Sequence, residues 1–201
     1  MIGLKYSLYT VYYGDCMRVE EIVYFDDLGK VNTEETLRLA REKAESRGIS
    51  NVLIASHTGF TTEKALEVFK DSDISLTFVG STRERFSNEM YAKVLEHRHK
   101  VAFANEYGHE LPAVANLVFR RFCEGMRVAI RIMIVAADLN LIPVGESVIS
   151  VAGTGDYHFK EKGGGADTAI IVTSCKGEDF FTPRPAKPDR RNIHEIICKP
   201  A

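Results

Sequence analysis

The sequence has no tryptophan, four cysteines among 201 residues, and no apolar run of the roughly 18 residues that a membrane-spanning helix needs. The cysteines stand at positions 16, 123, 175 and 198, too far apart for a Cys-x-x-Cys metal or redox motif. The last three fall in apolar segments, where a free thiol packs as a small hydrophobe. These features predict reduced, buried cysteines and a cytoplasmic location, with a disulfide between distant cysteines left open.

The chain also lacks an excess of charge of either sign. Lysine and arginine total 26, aspartate and glutamate total 28, and the formal net charge is −2. Such a balance gives no electrostatic reason to expect a nucleic acid or an acidic membrane as partner. The first 20 residues carry no basic start, no continuous apolar stretch and no small-residue cleavage site, so no secretion signal is expected.

With 45% hydrophobic residues, a chain of this length can bury roughly 70% of the surface that it exposes when unfolded. We expect an N-terminal extension over residues 1–20 and one α/β domain over residues 21–201. Short apolar runs predict strands at 21–25, 51–56, 74–79, 100–104, 146–152, 168–173 and 193–198. Helical patterns lie between them, and this alternation is typical of a mostly parallel sheet with helices on both faces, a three-layer sandwich.

The helix signals differ in strength. Asn32 with Glu35 three residues later predicts a capping box, and Gly48 suits the end of that helix. Residues 111–124 repeat apolar side chains every four positions, and Gly125 is expected to interrupt the pattern. Residues 126–139 have a helical period and are apolar enough for a buried helix, although the run VAIRIMIV could also be a strand.

The first candidate site is the segment ASHTGFTT, in which a strand end, a tight turn and a helix start follow one another. Such a turn directs backbone N–H groups and the positive end of a helix dipole at one point, where a phosphate fits. The alternative is an ordinary turn with a threonine N-cap. No lysine follows the glycine, so a nucleoside-triphosphatase loop is not indicated. The candidate residues are Ser56, His57, Thr58, Gly59, Phe60, Thr61 and Thr62.

The second candidate is the glycine-rich loop over residues 153–167. Three consecutive glycines, Gly163 to Gly165, allow the backbone to approach a ligand closely, and ligands of open α/β sheets collect at such strand ends. A flexible hairpin connection is the alternative. The candidate residues are Gly153, Thr154, Gly164, Gly165, Ala166, Asp167 and Thr168.

Other polar groups are weaker candidates. Asn32, Thr33 and Glu34 would lie at the same sheet edge, or they form only a helix cap. Asp138 is interpreted as a structural hydrogen-bonding carboxylate. The histidines show no metal-ligand spacing, and His97 and His99 would point to different sides of a helix. The basic segments 83–85 and 184–191 are solvated surface, or they close over an anionic ligand.

Several motifs in this order resemble a known family. The stretch from Met126 to Val172 reads as an apolar helix, then GESVISVAG, then GGGADTAIIV, and it is similar to the end of the pyruvate kinase C-terminal domain. VLIASHTGFTTEKA resembles that domain's strand and phosphate-holding turn. The chain is more similar to small stand-alone proteins built on that domain alone, mainly archaeal and largely uncharacterised, which share the pattern of Tyr24 to Thr36, then ASHTG and GADTA.

The resemblance implies flavin mononucleotide (FMN) as cofactor. Ser56 to Thr62 would hold its phosphate, Gly163 to Thr168 would close one side, and Asn32 to Glu34 would meet the ribityl chain or the ring edge. No catalytic residue and no metal ligand follows from it. A regulatory module that senses a sugar phosphate without catalysis is the second hypothesis, and a hydrolase is the third. Self-association is also expected, because the apolar helix 126–139 must be covered.

Overall fold

A computed structural model describes residues 18–107, 110–154, 164–182 and 192–201 of the chain. Most of the expected extension over residues 1–20 therefore lies outside the described residues. The same holds for Gly163 and for the whole basic segment at 184–191.

Seven strands within the described residues form one sheet in the order β1-β7-β6-β5-β2-β3-β4. All neighbouring pairs are parallel except those made by β6, which runs antiparallel to both β5 and β7. The strands are Val23–Phe25 (β1), Asn51–Ala55 (β2), Ser75–Gly80 (β3), Lys100–Phe103 (β4), Ser147–Ala152 (β5), Thr168–Thr173 (β6) and Ile193–Pro200 (β7). The predicted strands are thus present, with β7 extended by two residues.

Helices cover both faces of this sheet. The six α-helices of the described ranges are Thr33–Arg47 (α1), Phe60–Val68 (α2), Asn88–Glu96 (α3), Ala113–Phe122 (α4), Glu124–Asp138 (α5) and Gly177–Phe181 (α6). One buried cluster packs α1, α2 and the residues around α3 against one face of the sheet. A second cluster packs α5, with contributions from α4 and α6, against the opposite face. The predicted α/β fold with three layers and a mostly parallel sheet is confirmed.

The start of α1 differs from the predicted capping box. A 3-10 turn over Gly29–Asn32 leads directly into the helix, so Asn32 already has helical backbone angles and its side chain makes no cap bond. Its amide instead donates to the Asp27 carbonyl at 2.6 Å, and Glu35 pairs with Arg38. The predicted end is confirmed, because Gly48 takes the left-handed conformation with φ of 64°.

Residues 126–139 are helical, so the alternative of a strand in VAIRIMIV is wrong. The break between α4 and α5 falls at Cys123, two residues before the expected interruption at Gly125, which lies within α5. The Cys123 sulfur accepts a bond from the Met126 N–H at 3.3 Å and so caps α5. The predicted apolar face of α4 exists, but it points outward and leaves the helix without a buried residue.

Two histidines, His97 and His99, follow α3, and His99 bonds the sheet at β3. The rings of His97 and His99 stack with centroids 6.5 Å apart, contrary to the expectation that they point to different sides. The Leu76 N–H in β3 donates to His99 Nδ1 at 3.3 Å, so that nitrogen must be unprotonated. Burial, with a smaller contribution from His97, lowers the pKa of His99.

This lowered pKa predicts a loss of stability in mild acid. Because the folded pKa of His99 lies below its unfolded value of about 6.5, the unfolded chain binds the proton more readily, and stability falls as pH falls through that value. We expect His99→Gln to flatten the dependence of the unfolding free energy on pH between about pH 7 and about pH 5. Urea titrations across this range measure it, with His194→Gln, at an exposed histidine of β7, as the control; an unchanged slope in the His99 variant would contradict the assignment.

Candidate functional site

The predicted site segments meet at one edge of the sheet, where the parallel strands end. β1, β2 and β5 lead into residues 26–33, 56–59 and 153–154 at this edge. The antiparallel β6 begins there, since Thr168 pairs with Ala152 at the end of β5. Ligands of α/β sheets bind at this carboxyl edge, so the topology brings together segments that are far apart in sequence.

The segment Ser56–Thr62, called the 56–62 turn from here on, opens α2 without a conventional cap. Gly59 is the N-cap residue, with φ of 97° and no side chain to bond the helix. The Ser56 hydroxyl accepts from the Thr62 N–H at 3.3 Å, so the alternative of a threonine N-cap is wrong. Thr58 is exposed and Phe60 half-buried, whereas Thr61 and Thr62 are buried.

His57 connects this turn to the end of β3. Its Nδ1 bonds the hydroxyl of Ser81, and its Nε2 lies 2.6 Å from an Arg85 guanidinium nitrogen. Arginine can only donate, so Nε2 accepts and Nδ1 carries the proton. Sequence reasoning missed Ser81, although its place directly after a predicted strand was the available signal. Arg85 is exposed, whereas Arg83 turns away to the Phe86 carbonyl at 2.7 Å.

Two contacts join the turn to the start of α1. The Lys30 ammonium lies 5.5 Å from the centroid of the Phe60 ring, and Glu34 pairs with Lys64 of α2 at 2.6 Å. Lys30 was also missed by sequence reasoning, because it lies in a 3-10 turn with no recognisable motif. The 56–62 turn is thus flanked by one cation on each side, Lys30 and Arg85.

The glycine-rich loop ends in a buried carboxylate with four hydrogen bonds from its own chain. Asp167 Oδ2 accepts from the Gly29 N–H at 2.9 Å, and from the Thr154 N–H and hydroxyl at 3.2 and 2.9 Å. Its Oδ1 accepts from the Thr168 hydroxyl at 2.9 Å. The carboxylate thereby holds together the segments that follow β1 and β5 and precede β6.

Thr33 extends this arrangement to α1. Its hydroxyl oxygen accepts from the Ala166 N–H at 3.0 Å, and the Thr36 hydroxyl donates to the Ala166 carbonyl at 3.3 Å. Gly165 lies so close that a Cβ there would be 2.5 Å from the Thr33 hydroxyl oxygen and 2.7 Å from the Lys30 Cα. The loop therefore packs directly on the start of α1.

The predicted site residues divide into two sets with different environments. The first is the 56–62 turn with its flanking cations. The second, called the loop brace from here on, consists of Thr33, Thr154, Ala166, Asp167 and Thr168. Side chains of the loop brace satisfy backbone and hydroxyl groups of this chain, whereas in the first turn of α2 the Ser56 hydroxyl accepts only the N–H of Thr62.

The described cysteines are free thiols; Cys198 is buried as expected, whereas Cys123 and Cys175 are only half-buried. Burial raises the pKa of Cys123 and raises that of Cys198 to about 12. Neither is therefore a thiolate nucleophile at neutral pH. Asp138 accepts from the Gly177 N–H at 3.1 Å, which confirms its structural interpretation.

Two kinds of functional feature are absent from the described ranges. No three histidine, cysteine, aspartate or glutamate side chains there are grouped so as to hold a metal ion. No helix in those ranges combines the length and the apolar character needed to cross a lipid bilayer.

No family model matches the chain. Two crystal structures of pyruvate kinase from Cryptosporidium parvum are similar to it, each at 15% sequence identity, with TM-scores of 0.40 and 0.41. Each similarity covers 71% of this chain but only 23% and 22% of the enzyme. This chain thus spans less than a quarter of the length of these pyruvate kinases, and the likeness extends to chain arrangement alone.

Proposed function

We propose that this protein binds a phosphorylated small molecule at the 56–62 turn and that the ligand is FMN. The observation that carries the proposal is the start of α2, where Gly59 stands at the N-cap without a side chain and, among the described residues, a side chain accepts only the N–H of Thr62. The first N–H groups of a helix have no partner within the helix, and a phosphate oxygen satisfies them with the help of the helix dipole. Ser56 takes the N–H of Thr62, which leaves the N–H groups of Phe60 and Thr61 for the ligand.

Two neighbouring features support an anion at this place. Lys30 and Arg85 flank the turn and would bring positive charge to a phosphate dianion. The hydroxyl oxygen of Thr62 is buried without a hydrogen-bond partner among the described residues, which is uncommon for such a group. A ligand oxygen or an ordered water beside the first turn would satisfy it.

FMN would add the redox chemistry of its isoalloxazine ring, and the protein would supply position and polarity. The turn fits the phosphate part of the cofactor. Asn32, Thr33 and Glu34 lie at the start of α1, and Glu34 pairs with Lys64 of α2. The resemblance implies that they would meet the ribityl chain or the ring edge. Gly164 and Gly165 would close the same side through their backbone.

Binding is tested by titrating the purified protein with FMN, riboflavin and inorganic phosphate, with flavin fluorescence and thermal unfolding as readouts. We expect FMN to raise the melting temperature and riboflavin, which lacks the phosphate, to do so far less. An absorbance band between about 350 and 500 nm in freshly purified protein would show bound flavin directly. Colourless protein that FMN does not stabilise would contradict the proposal.

Replacement of the flanking cations gives a specific prediction. Arg85→Gln and Lys30→Gln should each weaken FMN binding about tenfold, because a charge-assisted contact contributes about 1.5 kcal/mol or more. Riboflavin binding should change little in either variant. Arg98→Gln removes an exposed cation next to β4 and serves as the control. Equal loss of FMN and riboflavin affinity would show that these residues do not contact the phosphate.

A sugar phosphate is the second candidate ligand, without catalysis. The direct contact of Gly165 with Lys30 and Thr33 favours a sugar phosphate. Because the glycine-rich loop packs on the start of α1, less room is left between these two segments for the three-ring isoalloxazine system of FMN. A panel of phosphorylated metabolites separates the two candidates. If a sugar phosphate stabilises the protein and FMN does not, the sensing function replaces the flavin function.

A further inference from the structure

A groove lies on the helical layer formed by α4, α5 and α6. It has a volume of about 530 Å³, and its walls are the segment just before α4, the second half of α5 and the start of α6. Small-molecule sites have volumes of about 300 to 1,000 Å³, so the groove is large enough to hold such a ligand.

This groove is remote from the 56–62 turn. Because β6 runs antiparallel to β5, its last residue, Thr173, pairs with Ser147 at the beginning of β5. Lys176, which lines the groove, follows that pair at the amino edge of the sheet, whereas the 56–62 turn lies at the carboxyl edge. In addition, α5 and α2 cover opposite faces of the sheet. A ligand in the groove would therefore not contact the 56–62 turn.

One part of the groove lining is apolar. Ile134 and Leu111 are buried, with exposed fractions of 4% and 8%. Phe181 is half-buried and packs edge to face on Phe180, with ring centroids 5.0 Å apart. Such a surface accepts an aliphatic or aromatic side chain, and an aromatic ring can extend the edge-to-face packing.

The other part of the lining carries charges of both signs. Arg131 and Lys176 are half-buried cations, and Asp138 is a half-buried carboxylate held in place by the Gly177 N–H at 3.1 Å. Burial lowers the pKa of Arg131, and the charge of Glu110 offsets this only in part. A further carboxylate beside these two cations would therefore be stabilised by both of them.

This mixture of charges restricts the chemistry of the ligand. A purely anionic ligand would meet repulsion from the carboxylates of the groove, and a purely cationic ligand would meet repulsion from its cations. We propose that the groove binds a zwitterionic α-amino acid with an apolar side chain. Its carboxylate contacts Arg131 and Lys176, its ammonium group contacts Asp138, and its side chain lies against Phe181.

Three related probes test whether both charges are recognised. They are L-phenylalanine, 3-phenylpropionate, which lacks the ammonium group, and 2-phenylethylamine, which lacks the carboxylate. Isothermal titration of the full chain should give a dissociation constant on the order of 100 µM for L-phenylalanine. Each analogue should bind about tenfold more weakly, because it loses one charge-assisted contact. Glycine, which lacks the apolar side chain, should also bind far more weakly than L-phenylalanine.

Variants assign each charge of the ligand to its partner. Arg131→Gln should weaken binding of L-phenylalanine about tenfold and leave that of 2-phenylethylamine unchanged. Lys176→Gln should act in the same direction, and it tests the same contact if Arg131→Gln does not fold. Arg127→Gln is the matched control, because Arg127 lies one turn earlier on α5, where it pairs with Glu124 at 2.5 Å.

The ammonium contact is tested at Asp138. Asp138→Asn keeps an acceptor oxygen for the Gly177 N–H but removes the negative charge. It should weaken binding of L-phenylalanine about tenfold and leave that of 3-phenylpropionate unchanged. A cooperative thermal transition without ligand verifies that each variant is folded.

Three outcomes would overturn the proposal. L-Phenylalanine could give no saturable binding at concentrations up to about 10 mM. One of the two singly charged analogues could bind as tightly as L-phenylalanine, which would show that only one charge is recognised. Binding could persist unchanged in Arg131→Gln, Lys176→Gln and Asp138→Asn, which would place the site elsewhere. None of these results depends on whether the 56–62 turn binds FMN.

Discussion

Replacing Asp167 with alanine should lower the free energy of unfolding by about 4 kcal/mol, the largest loss that we expect from a single polar side chain. The side chain is fully buried and accepts four hydrogen bonds, two from backbone N–H groups and two from threonine hydroxyls. Removing it takes this partner from both backbone N–H groups and from the Thr154 hydroxyl, and it leaves the Thr168 hydroxyl with only the Cys123 sulfur at 3.5 Å. Urea unfolding followed by circular dichroism measures the difference.

The isosteric variant separates hydrogen bonding from simple packing. Asp167→Asn keeps the shape and one acceptor oxygen but replaces the other oxygen with a donor. Its free energy of unfolding should therefore lie between that of the wild type and that of Asp167→Ala. Asp71→Ala, at an exposed aspartate after α2, should be nearly neutral. A small loss in Asp167→Ala, comparable to that of Asp71→Ala, would show that water replaces the carboxylate and that the loop brace contributes little.

The second large effect is expected from Gly125→Ala, although alanine normally stabilises a helix by about 1 kcal/mol relative to glycine. Gly125 lies in the first turn of α5, where the helix crosses the start of β6. An added Cβ would be 2.1 Å from the Thr168 hydroxyl oxygen and 2.5 Å from the Thr168 Cβ. Thr168 is itself held by Asp167, so it cannot move aside, and we expect a loss of about 3 kcal/mol or more.

Gly48→Ala provides the comparison for this prediction. A Cβ at Gly48 meets nothing within 4 Å, and only its left-handed φ of 64° opposes the change. This variant should lose about 1 kcal/mol. Thermal unfolding of both proteins ranks the two losses. If Gly125→Ala is the more stable of the two, α5 is free to move away from the sheet and the close approach is not essential.

The parts of the fold that the sequence predicted well are those with a strong local pattern. β2 is a continuous apolar run bounded by a turn, and this pattern identified it. The helical period of residues 126–139 favoured the helix α5, although a strand in VAIRIMIV had been left open. The left-handed Gly48 likewise ended α1 as expected. In each case, the local preference and the tertiary structure agree, which is typical of a well-specified element.

The errors arose where neighbours in space decide the structure. Asn32 could not act as a cap because the 3-10 turn before it already continues into the helix. The outward direction of the apolar face of α4 could not be predicted either. Periodicity identifies an apolar face of a helix but does not show whether another element covers it. α6 is only five residues long, too short to give a periodic signal.

For the candidate site, the sequence identified the segments but did not show that the loop brace bonds groups of its own chain while the 56–62 turn is the proposed ligand site. That the 56–62 turn and the glycine-rich loop lie at one edge follows from strand order. The bonds from Asp167 to Gly29 and Thr154 span 138 and 13 residues, and no local pattern announces such partners. Lys30 and Ser81 were missed as flanking groups for the same reason, whereas Arg85 belongs to the basic segment 83–85, for which closure over an anionic ligand was one of two interpretations.

The antiparallel strand β6 has one more consequence, for how such a protein can diversify. Because β5 and β6 are adjacent and opposed, the connection between them is a hairpin that enters and leaves the same edge. A hairpin connection can gain or lose residues without changing the connections between the parallel strands, provided that the loop-brace contacts at its base remain. A change in the length of this connection would therefore leave the order and direction of the strands in the sheet intact.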